Sequence, residues 1–231
     1  DGLEAATAGS RKRLVHAGGD GETFGHHQHF GERVVQHVLG SEAALHGFRV
    51  TNYGQHLAEN PPTWEVELDL GPDGLGTSWS CAHGVGRWRR DCGCRLVPGT
   101  AQSWRGGLRM AFDLLRERGR AFFESAAEPL FADLWAARDA FVAVRLQPTA
   151  AARALFLARH ARADLLPRER ARALLLLEMQ CDLLAMYTSC GWFFDDIAGI
   201  ESRIVLRRAA RAMARWRELG GEPPWPEVLA V

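Results

Sequence analysis

The chain has 231 residues, 47% of them hydrophobic and 24% charged. That composition excludes disordered, collagen-like and fibrous classes and leaves room for one large domain or two small lobes. Its 28 Lys+Arg balance 28 Asp+Glu, so the basic surplus that nucleic acid or an anionic membrane requires is missing, and neither is an expected partner.

No unbroken apolar run in the second half is longer than Ala173 to Leu177, well short of the roughly 20 residues that span a bilayer. The opening Asp1-Gly2-Leu3-Glu4 has neither a basic nor an apolar leader region. Five cysteines (Cys81, Cys92, Cys94, Cys181, Cys190) leave one unpaired in any full disulfide scheme. Reduced thiols, and with them a cytoplasmic location, are the expectation.

In chain order, Arg13 to Ala17 reads as a short strand entering a turn at Gly18-Gly19-Asp20-Gly21. A helix is predicted from about Gln28 to Leu39, stopped by Gly40. A second strand fits Phe48 to Thr51, a short helix Tyr53 to Ala58, and a third, alternating strand Trp64 to Leu68. Strand–helix alternation predicts an α/β layer with a parallel sheet, whose sites lie at the C-terminal ends of its strands. A Gly-rich connector, Gly71 to Gly76, then leads into Thr77 to Cys94, which has no period and packs two tryptophans, a histidine and three cysteines into a short span. Beyond Ala101, Ala/Leu/Arg-rich stretches predict helices over about 101–124, 129–146, 149–161, 167–188 and 200–219. The fourth is apolar around most of its circumference and should be the central helix of a bundle; 220–231 reads as a Pro-rich tail. Two or three strands cannot close a barrel, so the chain reads as the C-terminal portion of a longer protein.

Three local patterns carry chemistry. In Asp20-Gly21-Glu22-Thr23-Phe24-Gly25-His26-His27, two carboxylates and two histidines follow the first strand. In extended geometry Asp20 and Glu22 would share a face about 6.5–7 Å apart, close to the spacing of inverting glycosidases. The plain alternative is a polar turn whose Asp caps the next helix. In Trp79 to Cys94, Trp79 and Trp88 offer flat faces for sugar C–H groups, and His83, Arg90 and Asp91 offer groups for hydroxyls. The same span offers Cys81, His83, Cys92 and Cys94 as metal ligands, although C-x-C and C-x-H spacings depart from the usual structural zinc patterns. A third alternative is a folded loop packed on the bundle. Finally, Glu178 and Asp182 sit four apart on the apolar helix, where like charges call for arginine partners on neighbouring helices. After that helix, Trp192, Asp195 and Asp196 lie in a Gly-flanked turn, as sugar contacts or helix caps.

Several words in order resemble the bacterial group related to glycoside hydrolase family 57 that carries a C-terminal domain of unassigned function. They are the Asp20–His27 string, Thr51-Asn52-Tyr53-Gly54, Asn60-Pro61-Pro62-Thr63, the two halves of Ser78 to Cys94, and Met186 to Ile197. The resemblance spans about residues 13–215. It implies a retaining α-glucan hydrolase or transferase: the C-terminal part of an incomplete (β/α)7 barrel (1–70), a Trp/Cys/Arg-rich site loop (71–100), a helical bundle (101–219) and a tail (220–231). It implies Asp20 as general acid/base, with a glutamate nucleophile on the N-terminal barrel half of the same protein. No word for that nucleophile is found here, so this chain alone is expected to be inactive. Glu22, His26, His27, Trp79, His83, Trp88, Asp91, Trp192 and Asp195 are the implied substrate contacts, the ligand being an α-glucan or oligosaccharide. No cofactor and no metal are expected. The alternatives are a non-catalytic carbohydrate-binding or interaction module, and a His/Cys metal-binding domain.

Overall fold

The computed structural model describes residues 14–230. Arg13, where the first predicted strand begins, lies outside them. The chain divides into two units at Leu68/Asp69, each treated by itself below.

In the first unit the expected α/β layer is absent: among the described residues there is no strand, and therefore no part of a (β/α)7 barrel. The physical reason lies in the segments themselves. Strands are stabilised by neighbours that pair their N–H and C=O groups and cover one face. Here Trp64, Val66 and Leu68 remain 80–89% exposed along a run with neither helix nor strand pairing among the described residues. Among the described residues the alternation that suggested a strand has no partner to select it. The helices fare better. Helix α1 (Gly31–His37) continues through a π-helical stretch, Val38–Glu42, into α2 (Ala43–Leu45). Helix α3 (Tyr53–Glu59) starts where Asn52 Oδ1 accepts the Gln55 amide at 2.9 Å. Arg49 pairs bidentately with Glu59, and His16 Nδ1 lies 2.9 Å from the Tyr53 hydroxyl.

The second unit is helical. Helix α4 (Trp104–Ala127) buries Arg105, Leu108, Phe112, Leu115, Gly119, Phe123 and Ala127, a stripe at three- and four-residue intervals that gives one inward face. A 3-10 turn, Glu128–Leu130, leads to α5 (Leu134–Ala140) and α6 (Val142–Leu146). These two divide the single helix predicted over 129–146. Helix α7 (Ala150–His160) is capped by Thr149, whose hydroxyl accepts the Ala152 amide. Helix α8 (Pro167–Ala185) opens with Pro at its first position and with Glu169 reaching back to the Leu166 amide at 2.7 Å. The short α9 (Cys190–Phe193), α10 (Ile200–Glu218) and α11 (Trp225–Leu229) complete the unit, the last within the predicted tail.

Helix α8 is the centre. It packs against both α4 and α10 and buries Ala173, Leu176, Leu177, Met179 and Leu183. By length and composition Pro167–Phe193 is apolar enough to cross a membrane; here that apolarity is turned on neighbouring helices. Close approach depends on glycine: a Cβ on Gly119 would fall 2.6 Å from Leu183 Cδ1. The two acids of α8 are paired as their spacing predicts. Asp182, 2% exposed, accepts from Arg208 at 3.0 Å and also from Arg215. Glu178 accepts from Arg215 at 2.7 Å.

Candidate functional site

In the first unit, the Asp20–His27 string is a tight turn rather than an extended strand end. The Thr23 amide donates to Asp20 O at 3.1 Å, and Gln28 N donates back to Thr23 O at 2.9 Å. Asp20, Glu22, His26 and His27 are exposed. His27 Nε2 lies 3.9 Å from Glu22 Oε1, and the two histidine rings meet edge to face at 4.9 Å. The extended pairing of Asp20 and Glu22 on one face is thereby replaced by a turn, and the helix that follows starts at Phe30/Gly31 without an Asp20 side-chain cap.

In the second unit, residues 77–100 form a built substructure on the N-terminal end of α4 and on α9. Two buried guanidinium groups fasten it. Arg105, on α4, donates to Cys94 O at 2.8 Å and to Phe193 O at 3.2 Å. Arg87, in the 3-10 turn Gly86–Trp88, donates to Phe193 O at 3.3 Å and lies over the Phe193 ring. Trp88 Nε1 donates to Ser189 O at 3.0 Å.

Asp195 closes the arrangement. Its Oδ2 accepts the amides of Leu96 and Val97 at 2.8 and 2.7 Å and the Thr100 hydroxyl at 3.1 Å, while Oδ1 lies 3.6 Å from Arg105 Nη2. Burial by itself would raise this carboxyl's pKa. The donors from Val97, Leu96 and Thr100, with the Arg105 charge, outweigh burial and hold it below the usual carboxylate value. The three hydrogen bonds to Asp195 Oδ2 all come from residues 96–100. The sequence offered sugar contact or helix cap for this residue; the geometry is that of a clasp for the backbone of 96–100.

Trp192 is 2% exposed. It stacks on Tyr187 and meets Phe112 edge to face, and its Nε1 donates to Arg105 O at 3.2 Å. The sugar-facing role implied for it needs an open indole face, which this packing does not offer. Trp88 is half-buried. Trp79, by contrast, is 83% exposed, and Asp91 is exposed with Oδ1 accepting the Gly93 amide.

The same substructure brings four potential metal ligands together. One donor atom each from Cys81, His83, Cys92 and Cys94 lies within 4.8 Å of the others. Cys81 Sγ is 3.8 Å from the sulfurs of both Cys92 and Cys94, and Cys94 Sγ is 3.5 Å from His83 Nδ1. All five cysteines are free thiols. Burial pushes the Cys81 thiol pKa up, but backbone N–H groups of Arg87 and His83 and the neighbouring Cys92 and Cys94 thiols bring it down to about 7. The signal that sequence spacing concealed is Gly93. Its φ of 87° is open to glycine at little steric cost, and it folds the C-x-C pair back on one centre. Gly86 matters for a different reason: a Cβ there would sit 3.0 Å from Cys92 Cβ and 3.3 Å from His83 Cβ.

Set beside known proteins, residues 101–231 match the family described as Domain of unknown function (DUF3536). No curated protein and no solved structure matches the chain.

Proposed function

This chain belongs to the DUF3536 family, and from that premise we propose that it is part of a carbohydrate-active protein of the glycoside hydrolase family 57 group. The activity is retaining hydrolysis or transfer on an α-linked glucan or oligosaccharide. Asp20 is the general acid/base, and the nucleophile stands on an N-terminal part of the same protein. The observation that carries the reading is the family match over 101–231, a domain associated with family 57 proteins, lying directly behind the ordered words from Asp20 to Cys94.

The geometry sharpens the division of labour. Retaining chemistry needs two carboxyls, an acid/base and a nucleophile. Asp20 is exposed on its turn, and with the nucleophile on another part of the protein this chain by itself binds sugar rather than cleaving it. The bare side chains of Trp64, Val66 and Leu68 are what that N-terminal part would cover. Trp79 is the open aromatic platform, Asp91 offers a carboxylate to hydroxyls, and Glu22, His26 and His27 offer polar groups around Asp20.

The test is a calorimetric titration of maltoheptaose into the full chain, with Trp79→Ala in parallel. Binding is expected, weakened about threefold to tenfold by the substitution, the range of a lost aromatic contact, and no cleavage products should form. Absence of binding by the unsubstituted chain would overturn the carbohydrate reading. In the full-length protein Asp20→Asn should abolish turnover and leave sugar affinity intact; unchanged turnover would remove Asp20 from the chemistry and leave a binding module.

A further inference from the structure

We infer that Cys81, His83, Cys92 and Cys94 form a structural zinc site that holds residues 77–100 against helices α4 and α9. Ligand spacing weighs against the metal-binding alternative in the sequence; the positions of the four donor atoms weigh for it.

A tetrahedral centre with Zn–S of about 2.3 Å and Zn–N of about 2.0–2.1 Å sets its sulfurs about 3.8 Å apart and a sulfur and nitrogen about 3.5 Å apart. The two Sγ–Sγ separations from Cys81 are 3.8 Å, and Cys94 Sγ to His83 Nδ1 is 3.5 Å. These lengths far exceed the S–S bond of about 2.05 Å. Ligation by three sulfurs and one nitrogen fills all four tetrahedral positions, so no water is bound and the role is structural rather than catalytic.

The surroundings fit the charge of such a centre. Three thiolates and a neutral imidazole around a zinc dication leave a single net negative charge. Arg87 and Arg105 are 6% and 0% exposed, and the buried carboxylate beside Arg105 is Asp195, 3.6 Å away. Asp195 and, at the surface, Asp91 act on Arg105; a zinc–thiolate centre would add a negative charge beside these two buried guanidinium groups. Arg105 also bonds the carbonyl of a ligand residue, Cys94, as groups behind metal ligands commonly do. The proposal is independent of any sugar bound by this protein, because it rests on sulfur and nitrogen positions and the charges around them.

The test is zinc content, by mass spectrometry, of the full chain purified under reductant without added metal, followed by cobalt substitution and visible absorption. About one zinc per chain is expected, with cobalt giving the strong bands of a tetrahedral thiolate site. Cys94→Ser should lose the metal, His83→Cys should keep it and shift the cobalt bands toward an all-sulfur pattern, and Cys190→Ser should leave both unchanged. Less than about a tenth of an equivalent in the folded, unsubstituted chain would overturn the site. So would metal retained at full stoichiometry in both Cys81→Ser and Cys94→Ser, or a Cys81–Cys92 or Cys81–Cys94 disulfide in the reduced preparation.

Discussion

Where α8 meets α4, Leu183 presses on Gly119 closely enough that a Cβ there would push the leucine methyl aside, and the contact is apolar. Where residues 77–100 meet α4 and α9, the fastening is polar: Arg105 and Arg87 on carbonyls, Asp195 on amides, and a knot of sulfurs beside them. The bundle is held mainly by shape and apolar burial, which tolerate swaps of similar volume, with the Asp182 and Glu178 pairs to α10 added at one seam. The attached segment is held by a few directional groups, each of which leaves others unsatisfied if removed. The contrast teaches that the two parts should fail differently.

The largest effects should fall where the two regimes touch. Arg105→Ala takes the partner from Asp195 and from Cys94 O at once, and should lower stability by about 3–5 kcal/mol in denaturant titrations. The loss should be concentrated in 77–100; an even loss across the bundle would blur the contrast. Trp192→Ala should cost a comparable amount, about 3–5 kcal/mol, as a large core deletion. If stability held and only sugar affinity fell, Trp192 would belong to a binding face instead. Asp182→Ala, which strips Arg208 and Arg215 of a shared acceptor, should cost about 1–3 kcal/mol, because those arginines keep access to water.

A smaller effect is expected from acid. The Asp195 carboxyl is held below its ordinary value in the folded chain, so on acidification the unfolded chain takes up this proton first. The clasp is therefore fully present above the unfolded Asp value of about 3.9 and is lost as pH falls through the lower, folded one. Thermal melts of wild type and Asp195→Asn should converge below about pH 4; parallel curves would remove Asp195 from the clasp. Smallest of all, Trp79→Ala should change stability by less than about 0.5 kcal/mol, as an exposed side chain does.

How legible this was in the sequence differs between the same two regions. Helical periodicity and the Pro167 start placed α8 and its neighbours, because apolar burial writes itself as period 3.6 along one element. The acids at 178 and 182 announced their arginines for the same reason. Strand signals in the first unit misled: alternation records what a face would do if paired, and pairing is non-local. The 77–100 segment lacks any period since its partners are carbonyls and carboxylates some hundred positions away, such as Asp195. The ligand set at 81–94 was visible as residue types, yet the short spacings spoke against it. What made them workable is the left-handed backbone at Gly93, and dihedral angles are not written in spacing.

The most direct test of the contrast is amide hydrogen exchange on the full, metal-loaded chain before and after removing the ion with a chelator. The account predicts that protection of the Leu96 and Val97 amides and of the turn from Cys81 to Cys94 collapses, while the interiors of α4, α8 and α10 keep theirs. Protection unchanged throughout, or lost evenly across bundle and segment, would contradict it.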